Sequence, residues 1–352
     1  MSYWRSMPVV VKGANNCEQV INNQFLLDKI EHEMKLAPIE IEYQVTTSDF
    51  DLPFLKTFFD QHYSKVKYPL QFYDWYFNHN DTILFHFYNS DGIIGYIVAR
   101  NKKFVINRNP IQAMEISFFC ICPRLRHIHL APYLLNILIK ECIERYNISI
   151  AFYSIIAPIK SLHYVQKLIY HRPINVKRLL ENDFLDTTFD NSIFYSFDVH
   201  SDTKVIYLHK KSPQKLFINR LQQKYDKFVK DNFKIYETIN LTNLFSSNLF
   251  HHFIFYDTLG SVTGFFCICT LDFNGYNQGL LYTYLCETDL NNCIEMISEY
   301  ASKYKLFDVF SFYKTSKTHL TKTLCGVNST KYYLFNYSIN PIEEWETNIV
   351  HL

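Results

Sequence analysis

Apolar residues recur along this chain in two rhythms. Between residues 51 and 63, Phe54, Leu55, Phe58 and Phe59 fall three and four positions apart, the spacing of one helix face, and Pro53 suits the first turn. An aromatic-rich segment follows from Phe72 to Phe77. Unbroken apolar runs then predict strands at Ile83–Tyr88 and Ile93–Ala99, joined by the turn Asn89-Ser90-Asp91-Gly92. Met114–Ile121 reads as a buried strand. Pro132–Arg145 reads as a helix carrying Leu134, Leu135, Leu138, Ile139 and Cys142 on its apolar side, and Ile148–Ile156 as the next strand.

The same succession returns 170 positions later, where Phe253 stands to Phe255 as Ile83 stands to its strand. Phe253–Phe255, the turn Asp257-Thr258-Leu259-Gly260 and Val262–Thr270 repeat the first hairpin. Leu280–Leu285 repeats the strand after it, Asn292–Tyr304 the helix and Phe307–Phe312 the closing strand. Two copies of one unit predict an α/β (α+β) fold with pseudo-two-fold symmetry, divided into halves at 1–190 and 191–352. Strand, turn, strand, strand, helix, strand is also the core order of GNAT-type acyl-CoA N-acyltransferases, so the expectation is two fused GNAT-like units.

Composition narrows the reading. With 48% hydrophobic and 20% charged residues the chain is globular, and 352 residues suffice for a large core. Only 8 glycines make a glycine-rich phosphate loop a poor expectation. A net charge of +1 gives no basic footprint for nucleic acid, and the Lys210-Lys211 pair reads as a solvated face. Nine scattered cysteines without a secretory start fit a reducing, cytoplasmic setting. No apolar run is long enough to span a membrane, and Met1-Ser2-Tyr3-Trp4 resembles no signal or transit peptide.

Five segments carry a family resemblance. Met114-Glu115-Ile116-Ser117-Phe118-Phe119-Cys120-Ile121 runs on through Leu125-Arg126-His127-Ile128-His129-Leu130-Ala131-Pro132. That stretch resembles the N-myristoyltransferase signature EINFLCVHKxLRSKRxAP. His171-Arg172-Pro173-Ile174-Asn175 resembles HRPLN, and Tyr3-Trp4-Arg5-Ser6-Met7-Pro8-Val9 resembles FWxTQPV. Phe307-Asp308-Val309-Phe310 and Tyr332-Tyr333-Leu334-Phe335-Asn336-Tyr337 resemble FDVF and YYLYNW. The matches fall in the family's order along nearly the whole chain.

The resemblance implies a double-GNAT fold and transfer of a tetradecanoyl (myristoyl) group from its CoA ester to the N-terminal glycine of proteins by a monomeric, cytoplasmic enzyme. Myristoyl-CoA is then a co-substrate, with no cofactor and no metal. It implies that the backbone amides of Phe118 and Phe119, at a strand bulge, hold the thioester oxyanion, as preorganised N–H donors can. Ser2, Tyr3, Trp4, Cys120, Ile121, Arg126, His127, His129, Leu130 and Ala131 would contact the acyl-CoA, its pyrophosphate resting at a helix N-terminus. Ser117 and Ser154 would hydrogen-bond the glycine amine, and the Leu352 carboxylate would be the base.

The departures from the pattern matter too. His127-Ile128-His129 replaces Ser-Lys-Arg, so two fixed cations give way to titratable groups. Ile156 replaces a glycine. The family's acidic loop is absent, and His62-Tyr63 leads straight into Ser64-Lys65-Val66-Lys67. These changes imply an altered peptide preference or, as the alternative, a protein that binds acyl-CoA or N-terminal peptides without turnover. A rival reading of Cys120-Ile121-Cys122 with His127-Ile128-His129 is a zinc site. Its spacing is not that of standard structural zinc, and Cys267-Ile268-Cys269 shows the same pair without histidines.

Overall fold

The computed structural model describes residues 18, 19, 21–35, 39–63, 67–78, 81–155, 164–186, 197, 199, 203–209, 213–273, 275–313, 324–339 and 342–349. The first half opens with β1 (Glu18–Gln19), α1 (Asn23–Met34) and β2 (Glu42–Thr46). Helices α2 (Leu52–His62) and α3 (Leu70–Asn78) follow, then the strands β3 (Thr82–Asn89), β4 (Gly92–Ile106) and β5 (Asn109–Ile121). Helix α4 (Ala131–Tyr146), β6 (Ala151–Ile155), β7 (Val165–Pro173) and α5 (Val176–Glu181) complete it.

The second half has β8 (Lys204–Leu208), α6 (Lys215–Asn232), β9 (Ile235–Glu237) and α7 (Leu241–Ser246). Next come β10 (Phe250–Tyr256), β11 (Val262–Phe273), β12 (Tyr276–Cys286), α8 (Leu290–Tyr304) and β13 (Val309–Tyr313). It ends in β14 (Cys325–Phe335), β15 (Tyr337–Ser338) and β16 (Thr347–Asn348).

Local chemistry explains these boundaries. Asp51 caps α2 by accepting from Phe54 N–H, Pro53 occupies the first turn, and Leu55, Phe58 and Phe59 face inward. Asn147 ends α4 in the left-handed conformation. Strand β5 begins earlier than Met114 because Asn107 and Arg108 both take positive φ (48° and 70°), forming the tight turn that right-handed strand twist favours. The strand expected from Ile148 starts only at Ala151. Its entry segment is occupied otherwise, the Ile150 carbonyl accepting from Met114 N–H.

One sheet runs through the molecule in the order β16-β9-β4-β5-β6-β14-β7-β13-β12-β11-β10-β8, with β3 flanking β4 and β2 flanking β3. The repeat is visible in it. The series β3-β4-β5-β6-β14 mirrors β10-β11-β12-β13-β7, with β5 parallel to β6 and β12 parallel to β13. Strands β14 and β7 pair antiparallel at the centre, so each half's last strand comes from the other part of the chain. Arg172 in β7 makes a bidentate pair with Glu295 of α8 (both 3.1 Å), fully buried. The largest apolar cluster draws on both halves, from Phe59 and Tyr76 to Phe250 and Leu285. This is a mixed α/β fold of two GNAT-like units.

Candidate active site

Strands β5 and β6 pair only from Met114↔Ala151 to Ile116↔Tyr153, then part. The first residues past that point are Ser117 and Ser154, placed at the apex of the opening. On its other side β5 breaks register with β4. Tyr96 faces Cys120 and Val98 faces Ser117, leaving Phe118 and Phe119 against the single residue Ile97. This is a β-bulge, and it sits where the sequence reading put the two oxyanion amides.

The bulge is strained. Phe118 has φ +46°, a left-handed conformation unusual for a bulky residue. Its ring is locked among those of Phe59, Tyr63, Tyr68 and Tyr76, with centroids 4.9–5.6 Å away. That packing over-determines the backbone and keeps it from relaxing into regular strand. Gly95 lets β4 pass close by: a β-carbon there would meet the Cys120 carbonyl oxygen at 2.3 Å.

A cavity of about 380 Å³ opens beside the bulge. Phe119, Cys120 and Ile121 form one wall, and His129, Ala131 and Pro132 the end over α4. His62, Tyr63 and Arg126 close the rest. No side chain caps the α4 N-terminus, where Leu130 is the cap residue. That end has the partial positive charge and N–H groups suited to an anion. A larger cleft of about 690 Å³, lined by Trp75, Lys102 and Glu237 among others, touches none of the expected residues.

The structure sorts the expected residues. Ser117, Phe118, Phe119, Cys120, Ile121, Arg126, His129 and Ala131 gather around the bulge and the cavity. Leu130 is buried instead, within the cluster that holds Leu134 and Phe85. His127 is exposed on the short 3-10 turn Pro123–Ile128 and is not among the cavity's lining residues. Arg126 braces the loop: Nε donates to the Ile121 carbonyl (2.9 Å) and Nη2 to that of His62 (2.6 Å). Ser154 is half-buried in β6, opposite Tyr332. Ser2, Tyr3, Trp4, Ile156 and Leu352 lie outside the described residues.

Cys120 and Cys122 are not disposed to be thiolates. Burial pushes Cys120 up to about 11 against the nearby Arg126, and also raises Cys122, which donates to the Ile93 carbonyl (3.2 Å). A raised thiol pKa disfavours both nucleophilic and metal-ligand roles.

Three groups escaped the sequence reading. Tyr63 lines the cavity with 39% of its surface exposed, and desolvation of its inward hydroxyl raises the pKa to about 12 while a hydrogen bond with the Phe118 backbone pulls the other way. The Tyr76 and Ser117 hydroxyls are 2.5 Å apart, 41 residues apart in sequence. Lys167, buried in β7, reaches the carbonyls of Thr347 and Ile349. Aromatic side chains in an aromatic-rich chain carry no signal of their own, and a lone lysine carries none either. Four residues further along β7, the buried His171 accepts at Nε2 from the Asn328 amide (3.0 Å). Its Nδ1–H therefore meets Ser311 Oγ (2.7 Å), and burial lowers its pKa to about 4.

Comparison with known proteins bears on this geometry. The family profile described as Myristoyl-CoA:protein N-myristoyltransferase, N-terminal domain, matches residues 18–162, a span that contains the bulge, the cavity and α4. Glycylpeptide N-tetradecanoyltransferase of Plasmodium falciparum (isolate 3D7) is 32% identical over 151 residues. Residues 18–162 thus resemble the N-terminal domain of the N-myristoyltransferases. The P. falciparum match covers 38% of this chain and 35% of that protein. The namesake protein of Candida glabrata is 26% identical over 304 residues, 72% of this chain and 64% of its own length. Each match thus spans less than two thirds of these N-myristoyltransferases. In fold, Saccharomyces cerevisiae N-myristoyltransferase with bound myristoyl-CoA superposes with a TM-score of 0.77 at 16% identity, covering 99% of both chains. A conserved protein of Enterococcus faecalis V583, described as a probable N-acyltransferase, reaches 0.51 at 8% identity over 84% of this chain and 72% of its own. No described helix is long and apolar enough to cross a membrane.

Proposed function

We propose that this chain transfers a long acyl group, tetradecanoyl in the first place, from CoA to the N-terminal glycine of a polypeptide. The observation that carries this reading is the left-handed Phe118 bulge at the mouth of a cavity ending on the uncapped α4 N-terminus. The CoA pyrophosphate rests on that helix end, with His129 beside it. The amides of Phe118 and Phe119 receive the thioester oxygen, whose charge grows as the amine attacks. Ser117 and Ser154 hydrogen-bond the incoming amine. The carbon–nitrogen bond forms, the carbon–sulfur bond breaks, the amine gives up a proton and the CoA thiolate leaves. The family resemblance assigns the base to the Leu352 carboxylate and places Ser2, Tyr3 and Trp4 on the CoA; both assignments are part of the proposal, as is a monomeric, cytoplasmic protein.

Calorimetry tests the first step. Tetradecanoyl-CoA should bind and acetyl-CoA should bind more weakly; equal affinity for both, or none, sinks the reading. Clickable tetradecanoyl-CoA with a panel of glycine-starting octapeptides tests transfer. Binding without transfer across the panel would favour the second reading, an acyl-CoA-binding protein without turnover, which the replacement of two fixed cations by His127 and His129 also suits. A few residues added after Leu352 should slow transfer about 10²–10⁴-fold, as for a lost general base, and leave acyl-CoA binding intact.

A further inference from the structure

Ser117 does not stand alone. Its hydroxyl lies 2.5 Å from that of Tyr76, and both side chains are buried, Tyr76 completely. Tyr76 is itself held from three sides. The Arg100 guanidinium lies 3.7 Å from its ring centroid, within cation–π range. Arg100 is fixed in turn by Glu115, its Nε donating to Oε2 at 2.6 Å, and the two face each other across β4 and β5. The Tyr76 carbonyl accepts from the Thr82 hydroxyl (2.8 Å), and Phe118, one residue beyond Ser117, packs edge-on against the ring (5.2 Å).

We infer that Tyr76 is a positioning residue that acts on the amine site through Ser117; the inference rests on the proposed role of Ser117. Either hydroxyl can donate across this contact; the phenol is the more acidic, and we take Tyr76 as the donor and Ser117 Oγ as the acceptor. That fixes the Ser117 rotor, leaving one lone pair and the serine proton to meet the amine. Without the phenol the serine hydroxyl would turn freely in a buried site, and its orientation would have to be bought at the moment of binding. The Arg100–Glu115 pair holds the phenol still from below, which a tyrosine on an isolated helix face would lack.

A double-mutant cycle in the full chain tests this. The variants are Tyr76→Phe, Ser117→Ala and both together; Phe keeps the ring over Arg100. The probes are a thioether analogue of tetradecanoyl-CoA, then a glycine-starting octapeptide and its N-acetylated twin added to that complex. The wild type should bind the free-amine peptide more tightly than the twin. Each single variant should cut that discrimination about five- to thirtyfold, the size of a lost buried hydrogen bond, with analogue affinity unchanged within twofold. The double variant should lose no more than Ser117→Ala alone, and Ser117→Thr, which keeps a hydroxyl, should remain sensitive to Tyr76→Phe. Additive losses, or a Tyr76→Phe variant that discriminates like wild type, would overturn the inference. A wild type that binds both peptides alike removes Ser117 as the amine contact and this inference with it. Binding of the analogue judges the acyl-CoA reading separately.

Discussion

Lys167 in β7 donates to the carbonyl of Ile349, 3.1 Å away and 182 residues further along the chain. A second bond reaches Thr347 O at 3.3 Å, and the ammonium lies 4.4 Å from the Tyr313 ring centroid. Leu168 N–H adds a bond to the Glu344 carboxylate (2.9 Å). The C-terminal segment is thus fastened to the central strand. Burial lowers the Lys167 pKa to about 7, with Glu344 working against the shift.

That shift predicts a pH dependence of stability. Unfolded lysine keeps its proton to about 10.4, whereas the folded group loses it near 7. Between those values the unfolded state binds more protons, so the free energy of unfolding should rise with pH. Its full size would be on the order of a few kcal/mol. Urea denaturation from pH 7 to 9 should show the rise in the wild type and a flatter profile in Lys167→Met. Parallel profiles would mean that the lysine is not desolvated as the structure shows it.

Phe118 gives a prediction about backbone strain. Truncating its ring should destabilise the fold by about 3–5 kcal/mol, whichever small residue replaces it. The order of the two smallest is informative. In ordinary strand, glycine is worse than alanine by about 0.5–1 kcal/mol. At φ +46° the alanine β-carbon keeps the left-handed strain and glycine relieves it. Phe118→Gly should therefore be more stable than Phe118→Ala in urea denaturation; the usual order would show that the residue is extended in solution.

The legible parts of this molecule were those with local signals. The helix at Leu52–His62 showed in its periodicity, since one buried face repeats at a fixed spacing, and the hairpin strands showed as unbroken apolar runs on either side of a turn. The repeat exposed the two-unit fold, and the signature around Phe118 located the bulge. What stayed hidden was non-local. Nothing in the order of elements shows that β14 crosses to β6 and β7 to β13, because antiparallel pairing at the centre depends on both chain segments at once. The Tyr76–Ser117 contact was invisible for the same reason. The His127-Ile128-His129 segment looked uniform, yet the chain turns left-handed at His129 (φ +56°), and of the two histidines His129 is the one that lines the cavity.

That difference sharpens an expectation about CoA. If His129 stands in for a fixed cation beside the pyrophosphate, His129→Arg should tighten CoA binding and His129→Ala should weaken it, while the same changes at His127 should do little, because of the two only His129 lines the cavity. Dissociation constants for CoA, by calorimetry in buffers of matched ionic strength, decide it. Equal affinities across the variants would take both histidines out of phosphate binding.

Peptide charge offers the last prediction. Lys65 and Lys67 occupy the stretch where the family carries acidic residues. Lys65 lies outside the described residues, while Lys67 is exposed and its backbone bridges to Asp272 at the end of β11. On the proposed function, a lysine-bearing peptide would find no acidic partners in this stretch, and a peptide with Asp or Glu after the glycine would gain a cation. Asp272 is also exposed and stands opposite Lys67, so it offsets part of that gain. Exposed contacts of this kind contribute about 0.2–1 kcal/mol each, enough for a preference of a few-fold and no more. Acidic peptides should accordingly outperform lysine-bearing ones in kcat/KM, by a margin that shrinks as salt is added. Lys67→Glu should reverse the order, and Asp272→Asn should widen it. Because the two substitutions change the local charge in opposite senses, a general loss of stability cannot mimic the pattern. If lysine-bearing peptides remain strongly preferred by the wild type at low salt, the basic stretch does not face the peptide, and its charge belongs to another surface.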